Sequence, residues 1–311
     1  MNCLKFKNEI TDKIGGTAGK LLSEAVNAET VGKVKEIRLR TEKPLSVVID
    51  DESYFLTANG LSLKHTDRAL RMTANEMRDL FLRICRNSIY AYTEDIRNGF
   101  VTLSGGHRVG ICGRVQSDGM IRDITALNIR VSKEIIGCSK KVLPFIVKSE
   151  REIRSTLIIS PPCCGKTTLV RDIARYLSNG GQSPVRFRGA NVGIIDERSE
   201  ICSCENGVPS NDVGVRTDVL DGCVKEKGIY MMIRSMAPSV IVTDEIGGPG
   251  DYAAVASAIN SGIKVISTTH GSSLEEVRAR KEIGNMIDDN FFERFIVLDC
   301  SDGPGSVRQI V

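Results

Sequence analysis

Thr156-Leu157-Ile158-Ile159-Ser160-Pro161-Pro162-Cys163-Cys164-Gly165-Lys166-Thr167-Thr168 is the stretch whose reading decides the fold. The apolar run Leu157 to Ile159 predicts a buried strand, and Leu169 to Leu177 repeats its apolar residues at helical spacing. Strand, tight turn, Gly165-Lys166-Thr167 and helix is the context that a nucleotide-phosphate loop requires. Backbone N–H groups and the helix N-terminus would hold phosphate oxygens, so Ser160 through Thr168 is the expected nucleotide-binding segment. Lys166 is expected on the β- and γ-phosphates of ATP, and the Thr167 hydroxyl on Mg²⁺. The loop departs from G-x-x-x-x-G-K-[ST] at Ser160, and carries Cys163 where many such loops have glycine. A Cβ at that turn is expected to cost on the order of 1–2 kcal/mol of strain. A thiol beside the helix N-terminus is expected to ionise easily, which marks Cys163 or Cys164 as prone to oxidation.

The whole chain sets the frame around that loop. Its 311 residues suit two domains, and 41% apolar with 26% charged residues is the composition of a soluble globular protein. A net charge of +3 does not suggest a dedicated nucleic-acid binder. No run of about 18 apolar residues is present, and the opening Met1 to Glu9 lacks the apolar core of a signal peptide. The 10 scattered cysteines are therefore read as reduced thiols in a cytosol. Cys202-x-Cys204 with Cys223 lacks a fourth zinc ligand at a sensible spacing.

Up to about residue 135 the pattern is α+β. An amphipathic helical start carries Leu21, Leu22 and Ala25 on one face. Strands are predicted at Val34–Arg40, Leu45–Ile49 and Asn128–Val131. Thr73 and Glu76 form a capping box ahead of a helix that buries Met77, Leu80, Phe81 and Ile84, and a second helix is predicted over Ser88–Ile96. Gly105-Gly106 reads as a hairpin turn. Arg108 and Arg114 follow it six residues apart, and in an unbroken strand they would share a face. Residues 136–154 read as a linker. From 155 to 311 strands and helices alternate, as in an α/β domain with a mainly parallel sheet. Strands are predicted at Val192–Asp196, Val240–Glu245 and Lys264–Gly271, a loop at Cys202–Thr217, helices at about 223–235, 252–259 and 274–286, and a closing hairpin around Asp302-Gly303.

Three of these strands end in polar groups, and in open α/β sheets ligands sit at the carboxyl ends of strands. The phosphate loop, Asp196-Glu197, Asp244-Glu245 and His270 would then face one crevice. Mg²⁺ is hard and takes oxygen ligands, which suits Asp244 and Asp196 beside Thr167. Attack of water on the γ-phosphate needs a carboxylate to orient it, and either Glu245 or Glu197 can serve. His270 can contact the γ-phosphate, and the developing charge calls for an arginine.

Gly105-Gly106-His107-Arg108-Val109-Gly110-Ile111, the loop Ser160–Thr168, Ile194 to Glu200, Asn211 to Asp218, Val242 to Gly248 and Ser267-Thr268-Thr269-His270-Gly271 together resemble the secretion ATPases of types II and IV, most closely their sporulation members. Ser160-Pro161-Pro162 is similar to that family's own loop, whereas Cys163 departs from it. The resemblance implies a RecA-like P-loop ATPase core with a smaller α+β N-terminal domain, working as a homo-hexameric ring. It implies Asp196 and Glu197 as the family's acidic box, Asp244 and Glu245 as the Walker B pair, and His270 as the His box. It implies an arginine, Arg108 or Arg114, reaching a neighbouring subunit's nucleotide. It also implies a cytosolic motor docked on a membrane channel complex between mother cell and forespore. Other readings of the core motifs are an ATPase linked to nucleic acid, and a nucleotide-binding scaffold with little hydrolysis.

Overall fold

The computed structural model describes the chain except His65, Lys133, Cys163, Asn206, Asp302 and Pro304, and the side chain of Glu205. The expectations placed on Cys163 and on a turn at Asp302 lie outside the described residues. Two compact units make up the chain, Met1–Glu134 and Ile135–Val311.

In the first unit a helical run from Cys3 to Ile14 breaks at Gly15, whose φ of 62° suits glycine, and resumes over Gly16–Ala25. Seven antiparallel strands follow: β1 (Val34–Arg40), β2 (Ser46–Ile49), β3 (Glu52–Thr57), β4 (Gly60–Ser62), β5 (Phe100–Leu103), β6 (His107–Val115) and β7 (Ile121–Arg130). Their order is β4-β3-β2-β1-β7-β6-β5. The helix Ala74–Ile84 starts at the expected Thr73–Glu76 capping box and buries Met77, Leu80, Phe81 and Ile84. The helix expected over Ser88–Ile96 is instead a 3₁₀ turn, Ile89–Tyr92, followed by a short α-helix, Thr93–Arg97. β5 and β6 form the expected hairpin, with Gly105 and Gly106 at φ 79° and 75°. β6 is not unbroken. Its register against β7 shifts between Cys112 and Arg114, and a Cβ at Gly113 would lie 2.5 Å from the Arg122 carbonyl. The condition under which Arg108 and Arg114 would share a face is therefore not met.

In the second unit the segment read as a linker is packed. It contains a 3₁₀ turn, Cys138–Lys141, and a short helix, Leu143–Ile146. Val142, Leu143, Ile146 and Val147 are buried against Ile158, Leu169 and Ile173. The sheet runs through β8 (Thr156–Ser160), β9 (Val192–Asp196), β12 (Thr217–Asp221), β13 (Val240–Glu245), β14 (Lys264–His270), β15 (Arg294–Asp299) and β16 (Ser306–Ile310), with a small ribbon of β10 (Cys204–Glu205) and β11 (Val208–Pro209) outside it. The order is β12-β9-β13-β14-β8-β15-β16, parallel except for β16.

Central strands that are apolar on both faces explain this layering. On β8, Ile158 packs with Leu169, Val170 and Ile173 of the helix Lys166–Asn179. Leu157 and Ile159 pack on the opposite side with Ile229, Val255 and Met286. Each such fully buried side chain contributes about 1.5–3 kcal/mol of transfer free energy. Two expectations change here. The loop expected over Cys202–Thr217 holds the β10–β11 ribbon, and the edge strand β12 begins at its end. The helix expected over 274–286 is two, Leu274–Arg278 and Lys281–Asp288, split where Arg280 takes an extended ψ of 126°.

Two ties fix the phosphate-loop region. Asp172, in the helix Lys166–Asn179, accepts hydrogen bonds from Gly137 N (2.9 Å), Ser139 N (2.8 Å), Ser139 Oγ (2.6 Å) and the Arg175 guanidinium (2.8 Å). Burial alone would raise its pKa, but these bonds outweigh burial and lower it. The second tie is a disulfide between Cys164 and Cys300, 136 residues apart in sequence. It corrects the reading of every cysteine as a free thiol.

Asp172→Ala should destabilise the chain by about 3 kcal/mol, seen as a lower midpoint of urea unfolding, because it strands buried donors. The Asp172→Asn penalty should be full above the unfolded carboxyl pKa of about 3.9 and should fade as pH falls through the lower folded value. An unchanged midpoint at neutral pH would contradict that role. A proteolytic digest kept free of reductant should yield a Cys164 peptide joined to a Cys300 peptide. Both cysteines recovered as free thiols would contradict the bond.

Candidate functional site

Adjacent parallel strands place their carboxyl ends along one edge, and β13, β14 and β8 are neighbours. A cleft of about 1070 Å³ opens there. It is lined by Pro162, Gly165, Lys166, Thr167 and Thr168 of the loop, and by Glu197, Asp244, Glu245 and His270. Gly165 caps the helix at φ 81°, a left-handed conformation that suits glycine and turns Lys166 into the cleft.

Lys166, Glu245 and His270 engage one another. Lys166 Nζ lies 2.8 Å from each ring nitrogen of His270, and His270 Nε2 is 3.0 Å from Glu245 Oε2. Lys166 Nζ and Glu245 Oε2 are 4.0 Å apart. Opposite them, Lys225 Nζ lies 2.6 Å from Glu197 Oε2 and 3.6 Å from Asp244 Oδ1. Burial pushes the Asp244 pKa up to about 6, with Asp196 and Glu197 adding to the shift and Lys225 opposing it. Burial disfavours the Lys225 ammonium, yet Glu197, Asp244 and Asp251 outweigh it and raise its pKa.

Not every expected residue reaches the cleft. Asp196 is fully buried, and both its oxygens accept backbone N–H groups, from Glu200 (2.9 Å) and Cys202 (2.7 Å). Its expected place as a metal ligand gives way to a structural one: it closes the turn that follows β9 and presents Glu197. Its pKa is raised, by burial first, with those backbone groups opposing. Ser160 is buried and donates its hydroxyl to the Pro161 carbonyl. Cys164 is 5% exposed and bonded to Cys300, and its carbonyl accepts from Gly305 N at 2.8 Å. Arg108 and Arg114 belong to the first unit. There Arg108 lies 4.2 Å above the Phe100 ring, and Arg114 Nε is 3.5 Å from Asp123.

Three further residues belong to the site. Lys225 opens the helix Lys225–Ser235. Arg280 lines the cleft and donates to the His270 carbonyl. Asp251 accepts from Gly247 N (2.8 Å) and Gly248 N (2.7 Å), shaping the turn after β13. Lys225 left a faint trace in the sequence, as a cation at a helix start, where the helix dipole disfavours it. Arg280 and Asp251 lie in no motif.

Comparison with known proteins agrees with this architecture. The chain is 35% identical over 307 residues to the stage III sporulation protein AA of Bacillus subtilis (strain 168), covering 97% of this chain and 94% of that one. The uncharacterized protein ycf45 of Cyanidium caldarium is 28% identical over 211 residues, 67% of this chain and 57% of its own. Among solved structures, the pilus retraction motor PilT with bound ADP superposes with a TM-score of 0.59 at 16% identity, covering 86% of this chain and 75% of that one. The Legionella pneumophila ATPase DotB gives 0.53 at 15% identity, over 86% and 72% of the two chains. These likenesses show the fold: a RecA-like P-loop core with a smaller α+β unit before it. A family model described as "Sporulation stage III, protein AA" matches residues 5–311, and the chain belongs to that family.

Proposed function

We propose that the chain is a Mg²⁺-dependent ATPase of the secretion-ATPase type. It works as a homo-oligomeric ring, expected to be a hexamer. It drives a membrane channel complex between mother cell and forespore, lying at the membrane through partner proteins. The observation that carries the ATPase reading is the convergence of Lys166, Glu245 and His270 in one cleft with Thr167, Asp244 and Glu197, while the ring and the channel rest on the family likeness alone. Among the described residues no helix is long and apolar enough to cross a membrane.

The cleft suits a hard cation. The Thr167 hydroxyl and the largely buried Asp244 carboxylate are oxygen donors on its wall. Mg²⁺ held there would neutralise charge on the β- and γ-phosphates of ATP. Lys166 exchanges His270 for those phosphates when ATP enters. Glu245, 3.0 Å from His270, would orient a water and accept its proton as the γ-phosphate is attacked. Glu197 is tied to Lys225, which makes it the weaker candidate for the base. His270, beside both Lys166 and Glu245, reports an occupied γ-phosphate position to β14. Arg108 or Arg114 completes the site of a neighbouring subunit.

Lys166→Ala should abolish ATP binding, and Glu245→Gln should lower kcat by about 10²-fold or more with little change in ATP affinity. Parent turnover in Lys166→Ala would place the site elsewhere, and loss confined to Glu197→Gln would reverse the roles of the two acids. ATP turnover measured with and without single-stranded DNA should be equal. Strong stimulation would point to a nucleic-acid-linked enzyme, and no turnover in a verified ring to a scaffold. An arginine supplied in trans contributes about 10³-fold or more. Mixing an Arg108→Ala/Arg114→Ala variant with Lys166→Ala should therefore restore part of the activity. The absence of rescue in a verified mixed ring, or a monomer at working concentration, would contradict the arrangement.

A further inference from the structure

Lys225 stands in an unfavourable place for a lysine. It is the first residue of the helix Lys225–Ser235, where the helix dipole is positive and repels a cation. Its side chain is only 15% exposed, so its ammonium has lost much of its water. What holds it there is a pair of carboxylates from two different strand ends, Glu197 after β9 and Asp244 on β13, at 2.6 and 3.6 Å. β9 and β13 are adjacent, so these acids lean toward each other and would repel without a cation between them. Asp251 faces the same ammonium from the start of the next helix.

We infer that Lys225 is the built-in counter-cation of the nucleotide cleft: it holds Glu197 and Asp244 together in the nucleotide-free protein and competes with the divalent cation for Asp244. The inference rests on the ATPase reading for the identity of the metal. A divalent cation arriving at Asp244 displaces the longer 3.6 Å contact, while the 2.6 Å bond to Glu197 persists. Lys225 is thus a positioning residue. It keeps Glu197 out of the metal's coordination sphere and weakens metal binding until a nucleotide brings its own phosphate oxygens as ligands. The bare acids are thereby kept from capturing a divalent cation alone, in a coordination that would block the nucleotide.

The test uses the full-length protein without nucleotide, at pH 8, with Mn²⁺ as the probe followed by electron paramagnetic resonance. Lys225→Met should bind Mn²⁺ about tenfold more tightly than the parent. Lys225→Gln, which keeps a hydrogen-bond donor for Glu197 without the charge, should do the same if the methionine variant folds poorly. Lys225→Arg should match the parent. The gain should vanish in Lys225→Met/Asp244→Asn. Unchanged or weaker Mn²⁺ binding in folded Lys225→Met and Lys225→Gln would overturn the inference, as would a gain that survives Asp244→Asn. No Mn²⁺ binding in any variant would overturn it as well. Because no nucleotide is present, this result is separate from the ATPase reading, which falls if the parent binds no Mg²⁺–ATP.

Discussion

The contact among Lys166, His270 and Glu245 organises the candidate site, because each residue comes from a different strand end. Lys166 follows β8, His270 ends β14 and Glu245 ends β13. They meet only if β13, β14 and β8 lie side by side and parallel, as they do. The sheet order is therefore a requirement of the proposed site as well as of the core. Those strands are held by apolar side chains on both faces, so a register slip would draw their polar ends into the core. The three polar groups satisfy one another, which avoids leaving an ammonium or a carboxylate partly buried and unpaired. On the proposed reading, nucleotide binding would be an exchange of partners at Lys166.

The cleft is divided electrostatically. On one side Glu245 lies 3.0 Å from His270 and 4.0 Å from the Lys166 ammonium; on the other Lys225 neutralises Glu197 and part of Asp244. Asp196 lies beneath, spent on the backbone of its own turn. This arrangement separates two carboxylates that look equivalent in sequence. Glu245 stands beside the phosphate-loop lysine and Glu197 beside a lysine of its own, which favours Glu245 as the group that handles the water. The loop itself is fastened by the Cys164–Cys300 bond and, independently, by Gly305 donating to the Cys164 carbonyl.

The parallel core was legible because its strands are continuous apolar runs bounded by polar or glycine residues, as at Leu157–Ile159 and Val240–Val242. The capping box at Thr73 and Glu76 and the Gly105-Gly106 turn were legible for local reasons: each satisfies its own backbone within a few residues. What was not legible depended on distant partners. β12 has only Val219 and Leu220 as apolar residues between Asp218 and Asp221, and becomes a strand by pairing with β9. The segment 136–153 reads as a connector because its apolar residues come in short clusters, yet Asp172 and the core hold it. The bulge at Gly113 answers the Arg122 carbonyl across the strand pair. Asp196 carries the same letters as a metal-binding acid; only its backbone partners distinguish it. Lys225 and Cys300 lie outside every motif and are brought to the site by folding.

The most direct measurement is a structure of the protein with a non-hydrolysable ATP analogue and Mg²⁺. The account requires Lys166 Nζ to have left the His270 ring for the β- and γ-phosphates, the metal on Thr167 and Asp244, and Glu245 facing the γ-phosphate. An analogue bound elsewhere, or one in this cleft with Lys166 still on His270, would contradict it.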